Sequence, residues 1–196
     1  IGMGALAREC AKRNLTGLEW AVGIPGNLGG ALIMNAGAYG SNISTCVTKI
    51  EVMEYNGTRK WLNREEVQFG YRRGFQAGTG VIIGAELQLM AGNRAESEAN
   101  MREILQTRSK NQPLEYPSAG SVFKNPEGDH AGRLVEAAGC KGMRVGDAQI
   151  SEKHGNFIIN LGNAKASDVL ALIALVQKKV WEKFAVQLET EVRLFG

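Results

Sequence analysis

The stretch Gly23-Ile-Pro-Gly-Asn-Leu-Gly-Gly-Ala-Leu-Ile-Met-Asn-Ala-Gly-Ala-Tyr-Gly40 places six glycines around a short apolar run. Glycine admits positive φ angles and lets backbone come close to a ligand. Pro25-Gly26 reads as a turn, and the apolar run after Gly30 opens a short helix. A glycine-rich turn feeding a helix N-terminus presents unpaired amide N–H groups, which suit an anionic or carbonyl-rich cofactor edge. The spacing, G-x-x-G-x-x-G-G, is not the dinucleotide fingerprint G-x-G-x-x-G, and no clear strand precedes it. On spacing alone a purely structural turn is the stronger reading.

The 196 residues are 44% hydrophobic and 22% charged, ordinary for a globular chain with room for one large domain or two small ones. No apolar run approaches membrane-spanning length, and the first residues lack the basic and apolar regions of a signal peptide. Cys10, Cys46 and Cys140 are odd in number and far apart, so neither a disulfide framework nor a metal site follows; reduced cytoplasmic thiols are expected. A net charge of +3 without a dense Lys/Arg block gives little support to nucleic-acid binding. The chain begins directly before the helical stripe Ala5, Leu6, Cys10, Ala11, which Asn14 can end, as though it enters a domain midway.

Beyond the glycine loop, Val47 to Tyr55 alternates apolar and polar residues, and Asn56-Gly57 then signals a hairpin with a return strand near Thr58 to Leu62. Asn63 followed by Glu66 predicts a capped helical turn. Val81 to Met90 reads as a strand and Glu96 to Lys110 as a charged helix. Asn111 to Pro117 holds two prolines and reads as a linker. After it come a short glycine-containing strand or turn (Ser118 to Phe123), an amphipathic helix over His130 to Ala138 capped by Gly139, and a strand at Asn156 to Leu161. Ser167 is expected to cap a long helix whose apolar face holds Leu170, Leu172, Ile173, Val176, Val180, Trp181 and Phe184. Gln187 to Leu194 is expected to close the chain as a strand. Strands and helices mix without a regular βαβ repeat, so the fold class is α+β.

Four islands, in order along nearly the whole chain, resemble one family. The glycine-rich loop is similar to the flavin-contacting loop of bacterial UDP-N-acetylenolpyruvoylglucosamine reductases. Phe69-Gly-Tyr-Arg72, Ala119-Gly-Ser-Val-Phe-Lys-Asn-Pro126 and Leu188-Glu-Thr-Glu-Val-Arg193 are similar to three further motifs of that family. The resemblance implies a partial FAD-binding domain over residues 1–111, a smaller α+β substrate-binding domain over 112–186, and a C-terminal strand over 187–196 carrying a catalytic glutamate. It implies a reductase with FAD and NADPH as cofactors. Hydride passes from NADPH to the flavin, and then to the enolpyruvyl ether of a UDP-sugar, giving UDP-N-acetylmuramate for peptidoglycan. No metal, membrane or nucleic-acid partner is implied.

In this resemblance Gly23, Ile24, Pro25, Gly26, Gly29, Gly30, Asn35, Gly37, Ala38 and Tyr39 contact the cofactor. Arg72 faces the substrate carboxylate, where a guanidinium can hold both oxygens and stays charged; Arg73 is its neighbouring alternative. Ser121 is the proton donor to the enolate carbon left after hydride transfer. Glu191 is the third catalytic residue, useful if protonated, and Glu189 shares its strand face. Tyr71, Lys110, Asn125 and His154 match substrate-binding positions. His154 stands where some members carry glutamine, and the short interval between Arg72 and Ser121 places the chain in the shorter branch of the family.

The family's first glycine-rich loop, which embraces the flavin pyrophosphate, is not among these residues. The chain is therefore expected to be part of the enzyme, inactive alone and prone to self-association through an exposed apolar face. Two other readings stay open: another FAD-linked oxidoreductase of related architecture, or a non-catalytic nucleotide-sugar binding module.

Overall fold

The computed structural model describes residues 1–76, 78 and 80–194 and divides the chain into two compact units, Ile1–Arg108 and Ser109–Gly196. The first unit opens with α1 (Met3–Lys12), whose buried face is Met3, Ala7, Cys10 and Ala11. Of the expected stripe, Cys10 and Ala11 are buried and Leu6 is half-buried against the core, whereas Ala5 is exposed. Asn14, at φ 57°, turns the chain out of the helix as expected of a left-handed residue after a helix end. β1 (Leu15–Thr16) follows, then a 3-10 turn over Glu19–Gly23 that buries Trp20. The glycine-rich loop leads into α2 (Leu28–Met34), a short hairpin of β2 (Gly37–Ala38) and β3 (Ser41–Asn42), and a 3-10 turn over Ile43–Thr45.

The unit's main sheet is antiparallel, in the order β5 (Arg59–Asn63), β4 (Val47–Met53), β6 (Val81–Leu87). The Asn56-Gly57 hairpin is present, with Gly57 at φ 88° and Glu54 N donating to Thr58 O at 2.8 Å. The capped turn at Arg64–Glu66 is also present, the Glu66 carboxylate accepting from Asn63 N at 2.7 Å. β7 (Met90–Ala91) pairs with β1, and α3 (Arg94–Asn111) carries the chain to the second unit. Met3, Leu18, Leu32, Ile43, Ile50 and Val52 centre the core.

The second unit is a four-stranded antiparallel sheet in the order β8 (Ser118–Ser121), β11 (Phe157–Asn160), β10 (Ala148–Ile150), β9 (Arg144–Val145). Packed with it are α4 (Ala131–Ala137) and α5 (Ala166–Phe184). Gly139, at φ 71°, closes α4 with Cys140 N donating to Val135 O at 3.1 Å, as its position predicts. β9 and β10 were not expected, since each is too short to show alternation.

Three other expectations need correction. α5 begins one residue before Ser167, with Lys165 at its N-cap, and the Asp168 carboxylate in its first turn accepts from Lys165 N at 2.9 Å. Its buried face is Leu172, Ile173, Val176 and Val180, whereas Leu170 and Trp181 are exposed. The strand expected over 187–194 is, among the described residues, a single bridge between Thr190 and Phe123. All three cysteines are buried and free.

Candidate functional site

In the first unit the glycine loop and the Phe-Gly-Tyr-Arg turn are fastened together. Asn35, left-handed at φ 44° where α2 ends, donates from Nδ2 to Gly70 O at 3.0 Å and accepts Ser44 N on Oδ1 at 3.2 Å. Its side chain thus holds the loop's shape. Phe75 N donates to Leu32 O at 3.1 Å, and a Cβ on Gly74 would lie 2.0 Å from that carbonyl, so Gly74 allows the close approach.

Tyr71 and Arg72 occupy the tip of a tight turn closed by Gly70 N to Arg73 O at 2.8 Å and Arg73 N to Gly70 O at 3.1 Å. Arg72 takes φ 54°, a conformation that turns normally assign to glycine. Its guanidinium lies over the exposed Tyr71 ring, 5.1 Å from the centroid. Arg73 lies at the base of that turn with its guanidine over Gly70, so the two arginines are distinct in position.

The ten loop positions divide by what explains them. A side chain at Gly37 would strike the Ser41 carbonyl at 2.5 Å, so packing requires that glycine, whereas one at Gly23 would meet only the flexible Arg108 side chain, at 2.9 Å from Cδ. Ile24 and Ala38 are half-buried against the core, and Pro25 is exposed. Tyr39 is exposed and donates to Ile104 O at 3.3 Å. Gly26, Gly29 and Gly30 differ: a Cβ at each meets open space. Gly26, at φ 98°, is required by its backbone, but nothing excludes side chains at Gly29 and Gly30, where glycine costs about 1 kcal/mol against alanine inside a helix. The amides of Gly29 and Gly30 precede the first intrahelical bond, Ala31 N to Asn27 O at 3.0 Å. Bare backbone and unpaired amides together fit a large cofactor laid against the loop.

In the second unit a cavity of about 400 Å³ gathers Ser121, Asn125 and His154 with Arg133, Glu136 and Lys153. Gly120, at φ 80°, bends β8 just before Ser121, and the β8–β11 register shifts there. Asn125 Oδ1 accepts Ala131 N at 3.0 Å at the start of α4. The His154 ring meets Phe157 edge-on at 4.9 Å and accepts Asn156 N on Nδ1 at 3.2 Å. Burial, helped by the Lys141 charge, pushes His154 below its ordinary 6.5 and keeps it neutral.

Glu191 N donates to Val122 O at 2.7 Å, which sets the C-terminal segment beside the residue that follows Ser121. Glu191 Oε2 is buried, whereas Glu189 is 71% exposed and paired with Lys124. Of the two carboxylates, Glu191 is the one sheltered from water. Lys110 lies exposed in the last turn of α3 and does not line the cavity. The cations that line it are Lys153, which also donates to Ser109 O at 2.7 Å, and Arg133. Neither Lys153 nor Arg133 carried a sequence signal of its own. Arg133 holds the Asp129 carboxyl down to about 2 through their ion pair.

Residues 112–195 match the model of the UDP-N-acetylenolpyruvoylglucosamine reductase C-terminal domain, and residues 1–63 match that of an FAD binding domain. The crystal structure of UDP-N-acetylenolpyruvylglucosamine reductase from Thermus caldophilus superposes with a TM-score of 0.86 at 39% identity, covering 99% of this chain and 70% of that one. The chain belongs to the UDP-N-acetylenolpyruvoylglucosamine reductase family. The reductase of Lachnoclostridium phytofermentans is 49% identical across the whole chain, and that of Bacillus licheniformis 47% identical over 97% of it. The chain spans 64% of the length of each of these two relatives.

Proposed function

We propose that this chain carries the substrate-reducing part of a cytoplasmic reductase that converts the enolpyruvyl ether of UDP-N-acetylglucosamine into UDP-N-acetylmuramate. The observation that carries the reading is the meeting of two sequence islands: the Glu191 amide bonds the carbonyl of Val122, directly after Ser121. That brings a hydroxyl and a sheltered carboxyl group onto adjacent backbone. Gly26, Gly29 and Gly30 are the residues that would hold FAD. When bound, FAD supplies the hydride relay from NADPH to the enolpyruvyl carbon.

The chain's own residues have the remaining work. Arg72 is the fixed cation for the substrate carboxylate, on which negative charge grows as the carbon is reduced. The Ser121 hydroxyl gives its proton to the neighbouring carbon. Asn125 and His154 line the same cavity as Ser121 and bind the substrate, Tyr71 adds an aromatic face beside Arg72, and Lys110 is a more distant cation for the nucleotide phosphates.

The test separates two half-reactions in the complete polypeptide that bears these residues. Ser121→Ala is expected to slow reoxidation of reduced flavin by the enolpyruvyl sugar nucleotide by about two to four orders of magnitude, the usual worth of a general acid. Reduction by NADPH is expected to stay near normal. Equal slowing of both steps would make Ser121 a structural residue.

A further inference from the structure

We infer that Asn156 is a positioning residue that sets Ser121 and His154 in one fixed geometry for the reaction, an inference that rests on the reductase reading above. Asn156 is 4% exposed, and every polar group it has is engaged. Its side chain pairs with Phe123 as a strand backbone would, Oδ1 accepting Phe123 N at 2.8 Å and Nδ2 donating to Phe123 O at 2.8 Å. Its carbonyl accepts Val122 N at 2.9 Å, and its own amide donates to His154 Nδ1 at 3.2 Å. β8 ends at Ser121, where the sheet register has already shifted. Asn156 therefore replaces the missing ladder bonds over the two residues that follow the serine.

The backbone amide of Asn156, held in place by that side-chain pairing, sets the histidine's chemistry. A ring nitrogen that accepts an amide proton carries none of its own, so neutral His154 holds its proton on Nε2. The ring that lines the cavity then carries an N–H donor at Nε2 rather than a lone pair. The ring has little freedom to leave: Phe157 meets it edge-on at 4.9 Å, and a Cβ on Gly132 would lie 3.2 Å from its Cε1. The Val122 carbonyl accepts the Glu191 amide at 2.7 Å, so the backbone that Asn156 pins also carries the third candidate group.

Two measurements test this. In the 196-residue chain, nitrogen chemical shifts of the His154 ring should report the Nε2–H tautomer at neutral pH, and Asn156→Ser, which keeps that backbone amide but frees the segment that aims it, should give a mixture of tautomers. An Nδ1–H ring in the unsubstituted chain, or an unchanged ring in the variant, overturns the inference. In the complete polypeptide, Asn156→Ser should slow flavin reoxidation by the enolpyruvyl substrate by about 100-fold, as expected for a misplacement near 1 Å, while reduction by NADPH holds. Val176→Ala, fully buried in α5 away from the cavity, is the control for general destabilisation and should leave both steps alike. Equal slowing of both steps by Asn156→Ser, or the same split in the control, overturns the positioning role. An unsubstituted polypeptide that the enolpyruvyl substrate fails to reoxidise would instead overturn the reductase reading, and the tautomer result would still decide what Asn156 does to His154.

Discussion

At Arg72 the backbone holds φ 54°, which an L side chain adopts at a cost of roughly 1–2 kcal/mol and a glycine adopts freely. Strain of this kind clusters at active sites, though Ala185 holds φ 55° at the plain end of α5. Arg72→Gly and Arg72→Ala both delete the guanidinium and should lose substrate reduction equally. They should differ in stability, with the glycine variant more stable by about 1 kcal/mol in denaturant unfolding; equal midpoints would mean the turn carries no strain.

His154 gives a second test at this scale. Its folded pKa lies below the ordinary 6.5, so the unfolded chain takes up the proton first as pH falls. Its contribution to stability is complete above that value and lost on going below it, and Glu136 opposes the Lys141 charge acting on the ring. His154→Gln should flatten the loss of unfolding free energy between about pH 7 and pH 5. An unchanged slope would show that other groups set it. At this scale the resemblance offered candidate residues but left pairs such as Glu189 and Glu191 side by side, because their difference in burial is a property of the folded chain.

Elements followed the sequence wherever a local steric or periodic signal was strong. The Asn56-Gly57 hairpin, the Asn63–Glu66 cap and the Gly139 helix stop all appear where their residues place them. α5 shows the limit. Its period was legible, yet the face turned inward is centred on Leu172 and Val176, leaving Leu170 and Trp181 in water. A 3.6-residue stripe rich in apolar residues on several sides does not say which side meets the sheet. Leu172→Ala should therefore cost about 2–5 kcal/mol, against less than about 0.5 kcal/mol for Leu170→Ala, read from unfolding midpoints. Comparable losses would mean that the inward face is misassigned. The short strands Arg144–Val145 and Ala148–Ile150 form because partners are present, and nothing in so few residues announces them.

For the whole molecule, the matched relatives give a quantitative expectation. The chain spans 64% of the Lachnoclostridium phytofermentans reductase and holds one glycine-rich loop suited to flavin. Charge-assisted hydrogen bonds are worth roughly 1.5–3 kcal/mol each, so lacking three or four of them would weaken binding by several powers of ten. In a fluorescence titration the 196 residues alone should bind FAD far more weakly than a full-length relative. Stoichiometric FAD retained through purification would overturn this.

The sequence by itself determined the α+β class, the Asn56-Gly57 hairpin and the Gly139 stop after α4. Those follow from sterics and periodicity within a few residues. Only the tertiary structure decided that Asn35 joins the glycine loop to the arginine turn, that Lys153 rather than Lys110 lines the Ser121 cavity, and that Asn156 stands in for a strand. Each of these depends on a contact between segments distant in sequence, and such a contact exists only after packing has brought both partners out of water together.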